Sequence, residues 1–175
     1  VGFHSGSQRV TGSVTGGSAT SNASGIATVG SWRAGQTVGT NTVTATVAAL
    51  TPVSFAATGT PTAPASLVII SGNNQSDSAG FVLPLPLVIE VRDTFSNTVP
   101  NATVNWAVTD GSIAPTSGPS DGAGRAQATW TLGLVQASPT ATAAVGTVQT
   151  TFSATTLFSQ PTILRPITVT PATLV

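Results

Sequence analysis

The chain has 175 residues, with no Cys, Met or Tyr, and only 6% are charged, against about 25% in ordinary soluble domains. Its acids are Asp77, Glu90, Asp93, Asp110 and Asp121; its cations are Arg9, Arg33, Arg92, Arg125 and Arg165, with His4 and no Lys. This inventory excludes a disulfide framework, a thiolate nucleophile and a Cys-type metal site. A net charge of zero without Lys excludes the basic stripe that nucleic acid requires. No run approaches the roughly 18 apolar residues of a membrane-spanning helix.

With 31 Thr, 19 Ser, 18 Gly and 12 Pro, the composition favours short strands between turns, and no segment reads as a helix. In chain order, period-2 alternation predicts strands at Val43, Ala45 and Val47; Ile89 and Val91; Val104, Trp106 and Val108; Ala126, Ala128, Trp130 and Leu132; and Val148, Thr150, Phe152 and Ala154. Turn signals stand between the runs at Gly16-Gly17, Gly72-Asn73-Asn74, Asp110-Gly111, Ser117-Gly118-Pro119 and Asp121-Gly122. The expected fold class is all-β, with antiparallel sandwiches.

The chain repeats itself once. SNASGIATVGSW (residues 21–32) is similar to SDGAGRAQATW (120–130), and TPVSFAATGTPTAPASL (51–67) to GTVQTTFSATTLFSQPTIL (146–164). The anchors Gly25/Gly124, Trp32/Trp130 and Phe55/Phe152 are 99, 98 and 97 residues apart, about one immunoglobulin-like domain.

LVIEVRDTFSNTVPNATVNWAV, then SDGAGRAQATWTLG, then TATAAVGTVQTTFSAT resemble the bacterial immunoglobulin-like domains of the Big-1 (intimin/invasin) type. The resemblance covers residues 64–156 as a full copy and 1–59 as a partial one. It implies cysteine-free β-sandwiches serving as spacer or stalk in secreted and surface-anchored proteins, usually in tandem. The expected organisation is an incomplete domain over 1–60, a complete one over 61–156 and an extended C-terminal strand over 157–175. Prolines stiffen the linker at 59–64.

Aligning Val1-Gly2-Phe3 with Val104-Asn105-Trp106 leaves nothing ahead of the first copy to match residues 66–93, so its first strands are expected to be missing. Such a sandwich exposes an apolar groove. The end of the chain, QPTILRPITVTPATLV, aligns with the linker and first strand of the full copy. Two readings follow. In the first, the chain is a filament subunit: the segment carrying Ile163, Leu164, Ile167, Val169, Leu174 and Val175 enters the groove of a neighbouring copy, beside residues 1–3, 26–32 and 43–47, and a head-to-tail homopolymer grows by donor-strand complementation. In the second, the chain is a stalk piece of a longer adhesin or binding protein, with neighbouring domains completing both ends; the lack of an initiator Met or a leader-like start accords with processing or excision.

The candidate sites are sparse. Calcium would be held by Asn73, Asn74 and Asp77 or by Asp110 and Asp121; the competing role for these residues, and for Asp93, is turn formation. Trp106 and Trp130, by parity, belong to the core and not to a sugar-stacking surface, with Trp32 their expected equivalent. Glu90 and Arg92 are expected as an outward pair worth about 0–1 kcal/mol. Asn22, Asn74 and Asn101 head glycosylation sequons in predicted loops. His4 lacks a nucleophile elbow, so no catalysis is expected. The reading is a non-catalytic, extracellular or cell-surface protein whose partners are its own copies or adjacent domains.

Overall fold

The computed structural model describes the backbone of residues 2–6, and residues 12–135 and 137–158 in full. The donor-strand residues Ile163, Leu164, Ile167, Val169, Leu174 and Val175, and the side chain of His4, lie outside this description.

All regular structure described is strand. The second unit contains β6 (Ser66–Ser71), β7 (Gln75–Ser78), β8 (Leu87–Arg92), β9 (Thr103–Val108), β10 (Ser112–Ala114), β11 (Ser117–Pro119), β12 (Arg125–Thr131), β13 (Thr140–Val145) and β14 (Val148–Leu157). They form one sheet ordered β10-β12-β8-β6 and another ordered β11-β9-β13-β14-β7, the two-sheet arrangement of an immunoglobulin-like sandwich. All ladders are antiparallel except β7 with β14. The chain changes sheets between β6 and β7 and then runs parallel to the closing strand. β14 ends at Leu157, which pairs with Ser78, so the first residue of the segment expected to be a free strand still belongs to the sandwich.

Strand alternation sends Leu87, Ile89, Val91, Val104, Trp106, Ala128, Trp130 and Phe152 inward, where they form one contiguous core. Burial of each large side chain contributes about 1.5–3 kcal/mol. The rings of Trp106 and Phe152 lie 6.0 Å apart at 41°, and Trp130 Nε1 donates to the Asp110 carbonyl at 3.2 Å. Both tryptophans are therefore core residues, as their parity predicts.

The first unit contains β1 (Gly2–Gly6), β2 (Ser13–Thr15), β3 (Ser31–Arg33), β4 (Gly39–Thr46) and β5 (Val53–Gly59). They form a sheet ordered β1-β4-β5 and the pair β2-β3. Register identifies each strand's counterpart in the second unit. Val14 faces Trp32 as Ile113 faces Trp130; Val43 faces Phe55 as Ala141 faces Phe152; Phe3 faces Ala45 as Trp106 faces Ala143. Thus β1, β2, β3, β4 and β5 correspond to β9, β10, β12, β13 and β14, and the described residues hold no counterpart of β6, β7 or β8.

That difference has two local effects. Segment 26–32, expected as part of the acceptor, is regular only at Ser31–Arg33, whereas its counterpart β12 extends over seven residues and pairs with β8; among the described residues, 26–30 join no ladder. Trp32 is half-buried instead of a core residue, and Val43 is the one buried hydrophobic residue described ahead of Leu83.

Candidate strand acceptor and interdomain junction

The apolar groove lies in the first unit. Ala27, Thr28, Val29, Trp32, Val43 and Phe55 line a cavity of about 420 Å³. Phe55 is 53% exposed, although its counterpart Phe152 is wholly buried. The lining joins the edge at 26–30 to the inner faces of β4 and β5, on the side where the second unit places β8 with Leu87, Ile89 and Val91. The Ile26 carbonyl accepts from the Asn22 N–H and the Gly30 N–H donates to the Thr15 carbonyl, each at 2.9 Å; between them, 27–29 join no ladder among the described residues, and apolar side chains beside such a stretch are what an added strand requires. Of the expected acceptor segments, 26–32 and 43–47 contribute to this region; the side chains of 1–3 lie outside the described residues.

The second feature is the junction between the units. Asp93 closes β8, and its carboxylate is buried. Oδ1 accepts the backbone N–H groups of Phe95 at 2.8 Å and Asn97 at 2.9 Å. Oδ2 accepts Asn97 Nδ2 at 2.9 Å, the Thr62 N–H at 3.0 Å and the Thr62 hydroxyl at 3.3 Å. Burial pushes this carboxyl upward, but the hydrogen bonds from Asn97, Thr62 and Phe95 outweigh it and hold the pKa at about 2. Asn97 passes the network on to the first unit: Nδ2 donates to the Gln36 carbonyl at 2.8 Å, and Oδ1 accepts the Val38 N–H at 3.2 Å. Asn41, itself buried, braces the same loop by accepting the Gly35 N–H at 2.9 Å and donating to the Gly39 carbonyl at 3.1 Å.

Sequence reasoning placed Asp93 in a turn, and it does cap one. The partners it missed, Thr62 in the linker and Gln36 and Val38 in the preceding unit, lie 31 to 61 positions from Asp93 or Asn97. The one signal for them was that Asp93 and Asn97 stand four apart in the run VRDTFSNTVP.

Glu90 corrects another expectation. It lies on the outer face of β8, as its parity predicts, but is buried there and not exposed, clamped by Arg92 Nη2 at 2.7 Å and Arg125 Nε at 3.2 Å. The hydrogen bond from Arg92, aided by Arg125 and both positive charges, lowers its pKa against the opposing effect of burial. β12 lies directly beside β8, which brings Arg125 opposite Glu90 and completes a clamp that β8 alone does not reveal.

The calcium candidates divide. Asp110 and Asp121 lie beyond opposite ends of β12, whose end residues pair with Ser112 and Glu90, so they do not form one site. Asp110 Oδ2 accepts the Val135 N–H at 3.0 Å, and Asp121 Oδ1 accepts those of Ala123 and Arg125, each at 2.8 Å. Asn73, Asn74 and Asp77 are near neighbours in the crossing from β6 to β7; Asn73 Oδ1 accepts from Ser153 at 2.9 Å and Asn74 at 3.0 Å, and Asp77 Oδ1 from Ser78 at 2.7 Å. The sequon residues Asn22, Asn74 and Asn101 are exposed.

The class defined by this architecture is a tandem pair of immunoglobulin-like β-structures. No protein-family model and no curated protein matches the chain. Among solved structures it is similar to the D0-D1 domain of intimin, at 20% identity over 87% of this chain and 76% of that one, with a TM-score of 0.41. It is also similar to the Yersinia pseudotuberculosis adhesin InvE, at 20% identity over 88% of this chain and 47% of that one, TM-score 0.45. A third similarity is to domains 4–9 of the surface layer protein SbsC, at 16% identity over 71% of this chain and 19% of that one, TM-score 0.46. The chain therefore spans less than half the length of the InvE and SbsC structures. No helix among the described residues is long and apolar enough to cross a membrane.

Proposed function

We propose that the chain is a non-catalytic structural protein of the cell exterior that polymerises head to tail, residues 163–175 of one copy entering the groove of the first unit in the next. The observation that carries this reading is the open apolar floor at Trp32, Val43 and Phe55 beside the edge at 26–30. The donated segment alternates apolar residues at Ile163, Ile167, Val169 and Val175, and its prolines at 166 and 171 suit an edge strand. A surface of Thr and Ser with few charges accords with an extracellular setting, where protein contacts or glycans maintain solubility.

A second reading is a stalk segment of a longer surface protein, with sequence preceding Val1 filling the groove. The Asp93–Asn97 junction favours it, because a fixed angle between units is what a spacer needs. Electron microscopy of the native material, with the chain ends determined by mass spectrometry, separates the two. Deleting residues 161–175 is expected to abolish polymer and leave the second unit's melting unchanged; filaments that survive the deletion overturn strand donation. A native chain that continues ahead of Val1 and is monomeric supports the stalk.

A further inference from the structure

The far end of the second unit is apolar. Leu134 and Val135 are 71% and 83% exposed, and Phe81, Leu157 and Phe158 are exposed beside them. The bridge from Val82 to Thr131 and the pairing of Leu157 with Ser78 place these residues together, at the end of β12 remote from Asp93. Ser78, Ala79, Phe81, Leu157 and Phe158 line a depression of about 370 Å³ there.

The repeat offers a comparison for this end. Counting from the paired tryptophans, Leu134 and Val135 occupy the positions of Gln36 and Thr37. In the first unit that loop is covered, because the Gln36 carbonyl and the Val38 N–H are bonded to Asn97 of the unit that follows. In the second unit the same loop carries two exposed aliphatic side chains, which suit an apolar surface and not an Asp-Asn turn. The chain has such a surface at its opposite extremity. The β4–β5 register puts Gly39 and Gly59 toward the second unit and Ala45 and Val53 away from it. On that outer end Leu50 is 67% exposed, Val47 and Val53 are exposed, and residues 42–53 hold no charge.

We infer that the Leu134–Val135 end of one copy docks on the Leu50 end of a second copy. The inference rests on the head-to-tail reading and adds to it a contact in which the tail takes no part. Such a contact joins two different patches, so it propagates along a line and does not close as a dimer.

The chain has no cysteine, which makes a single-cysteine test clean. Full-length Val135→Cys and Leu50→Cys proteins are mixed under mild oxidation, and disulfide species are identified by mass spectrometry. The expected result is a 135–50 adduct in excess over 135–135 and 50–50. A dominant symmetric adduct, or no adduct, overturns the inference. In parallel, the Leu134→Ser/Val135→Ser protein is expected to weaken self-association about tenfold or more by sedimentation with unchanged melting, since both side chains are exposed. Repeating the cross-link on protein lacking 161–175 separates the two ideas. If the 135–50 adduct survives in non-filamentous protein, both the end contact and strand donation stand; if it survives with filaments intact, the end contact stands and strand donation falls. If filaments persist in the double-serine protein and the mixed Val135→Cys and Leu50→Cys proteins give no 135–50 adduct, the end contact falls alone. Slow amide exchange at Leu134 and Val135 in the monomer that quickens on tail deletion makes the chain's own tail the occupant and overturns docking by a second copy.

Discussion

Phe55 and Phe152 hold the same place in two copies of one unit, each facing a small aliphatic residue across the closing hairpin, yet Phe55 is largely open and Phe152 is sealed. Their substitutions are therefore expected to diverge. Phe152→Ala should destabilise the second unit by about 3–5 kcal/mol, measured by chemical denaturation. Phe55→Ala should cost the isolated chain under about 1 kcal/mol while weakening capture of a synthetic peptide of residues 161–175. Equal losses for the two variants in the monomer would mean that the groove is already filled.

Gly25 and Gly124 supply a second paired comparison. Both have positive φ, 76° and 75°, but a Cβ on Gly124 would lie 2.9 Å from Thr98 Cβ and 3.0 Å from the Val91 carbonyl, while one on Gly25 meets nothing within 4 Å. Gly25→Ala should cost only the left-handed backbone strain, about 1–2 kcal/mol. Gly124→Ala should cost more, because the turn must also move off β8. Thermal melts of the two variants give the comparison directly.

Asp93 predicts an acid-sensitive junction. Its folded pKa of about 2 lies below the ordinary 3.8, so the stability it contributes is complete above pH 4 and is lost as pH falls from there toward 2. Asp93→Asn should flatten that part of the stability profile. It should also lower stability at neutral pH, because an amide cannot accept at both ends the hydrogen bonds that Phe95, Asn97 and Thr62 donate. A profile of unchanged steepness in the variant would assign the acid sensitivity to another group.

Glu90→Gln should leave Arg92 and Arg125 close together without their shared anion, at a cost of about 1–3 kcal/mol. Glu90→Ala with Arg125→Ala should cost less than the sum of the single changes. Additive losses would show that the 3.2 Å contact contributes nothing.

The strands were legible because alternation is local: the faces of β9, β12 and β14 follow from every second residue, and the Gly25/Gly124 and Trp32/Trp130 spacings revealed the repeat. The open groove was legible for the same reason, since an aligned copy shows which strands have no counterpart. Burial that depends on a neighbouring strand was not legible. Glu90 reads as an exposed acid on β8 until Arg125 arrives from β12 to cover it, and Trp32 reads as core although the described residues hold no counterpart of the strand that would cover it. The Asp93 junction was half legible: the turn is written in five residues, but its reach to Gln36 and Val38 depends on how two units meet.

The parallel pairing of β7 with β14 bears on how the second unit answers tension. Its chain enters from the first unit's side and leaves at Leu157, so a pull on both ends draws β7 and β14 in opposite directions along their shared ladder. The bonds that link Ala154 through Leu157 to Gln75 through Ser78 are then loaded in shear, together, and not peeled one after another. A unit wired this way resists stretching most strongly along the line on which a stalk or thread is pulled.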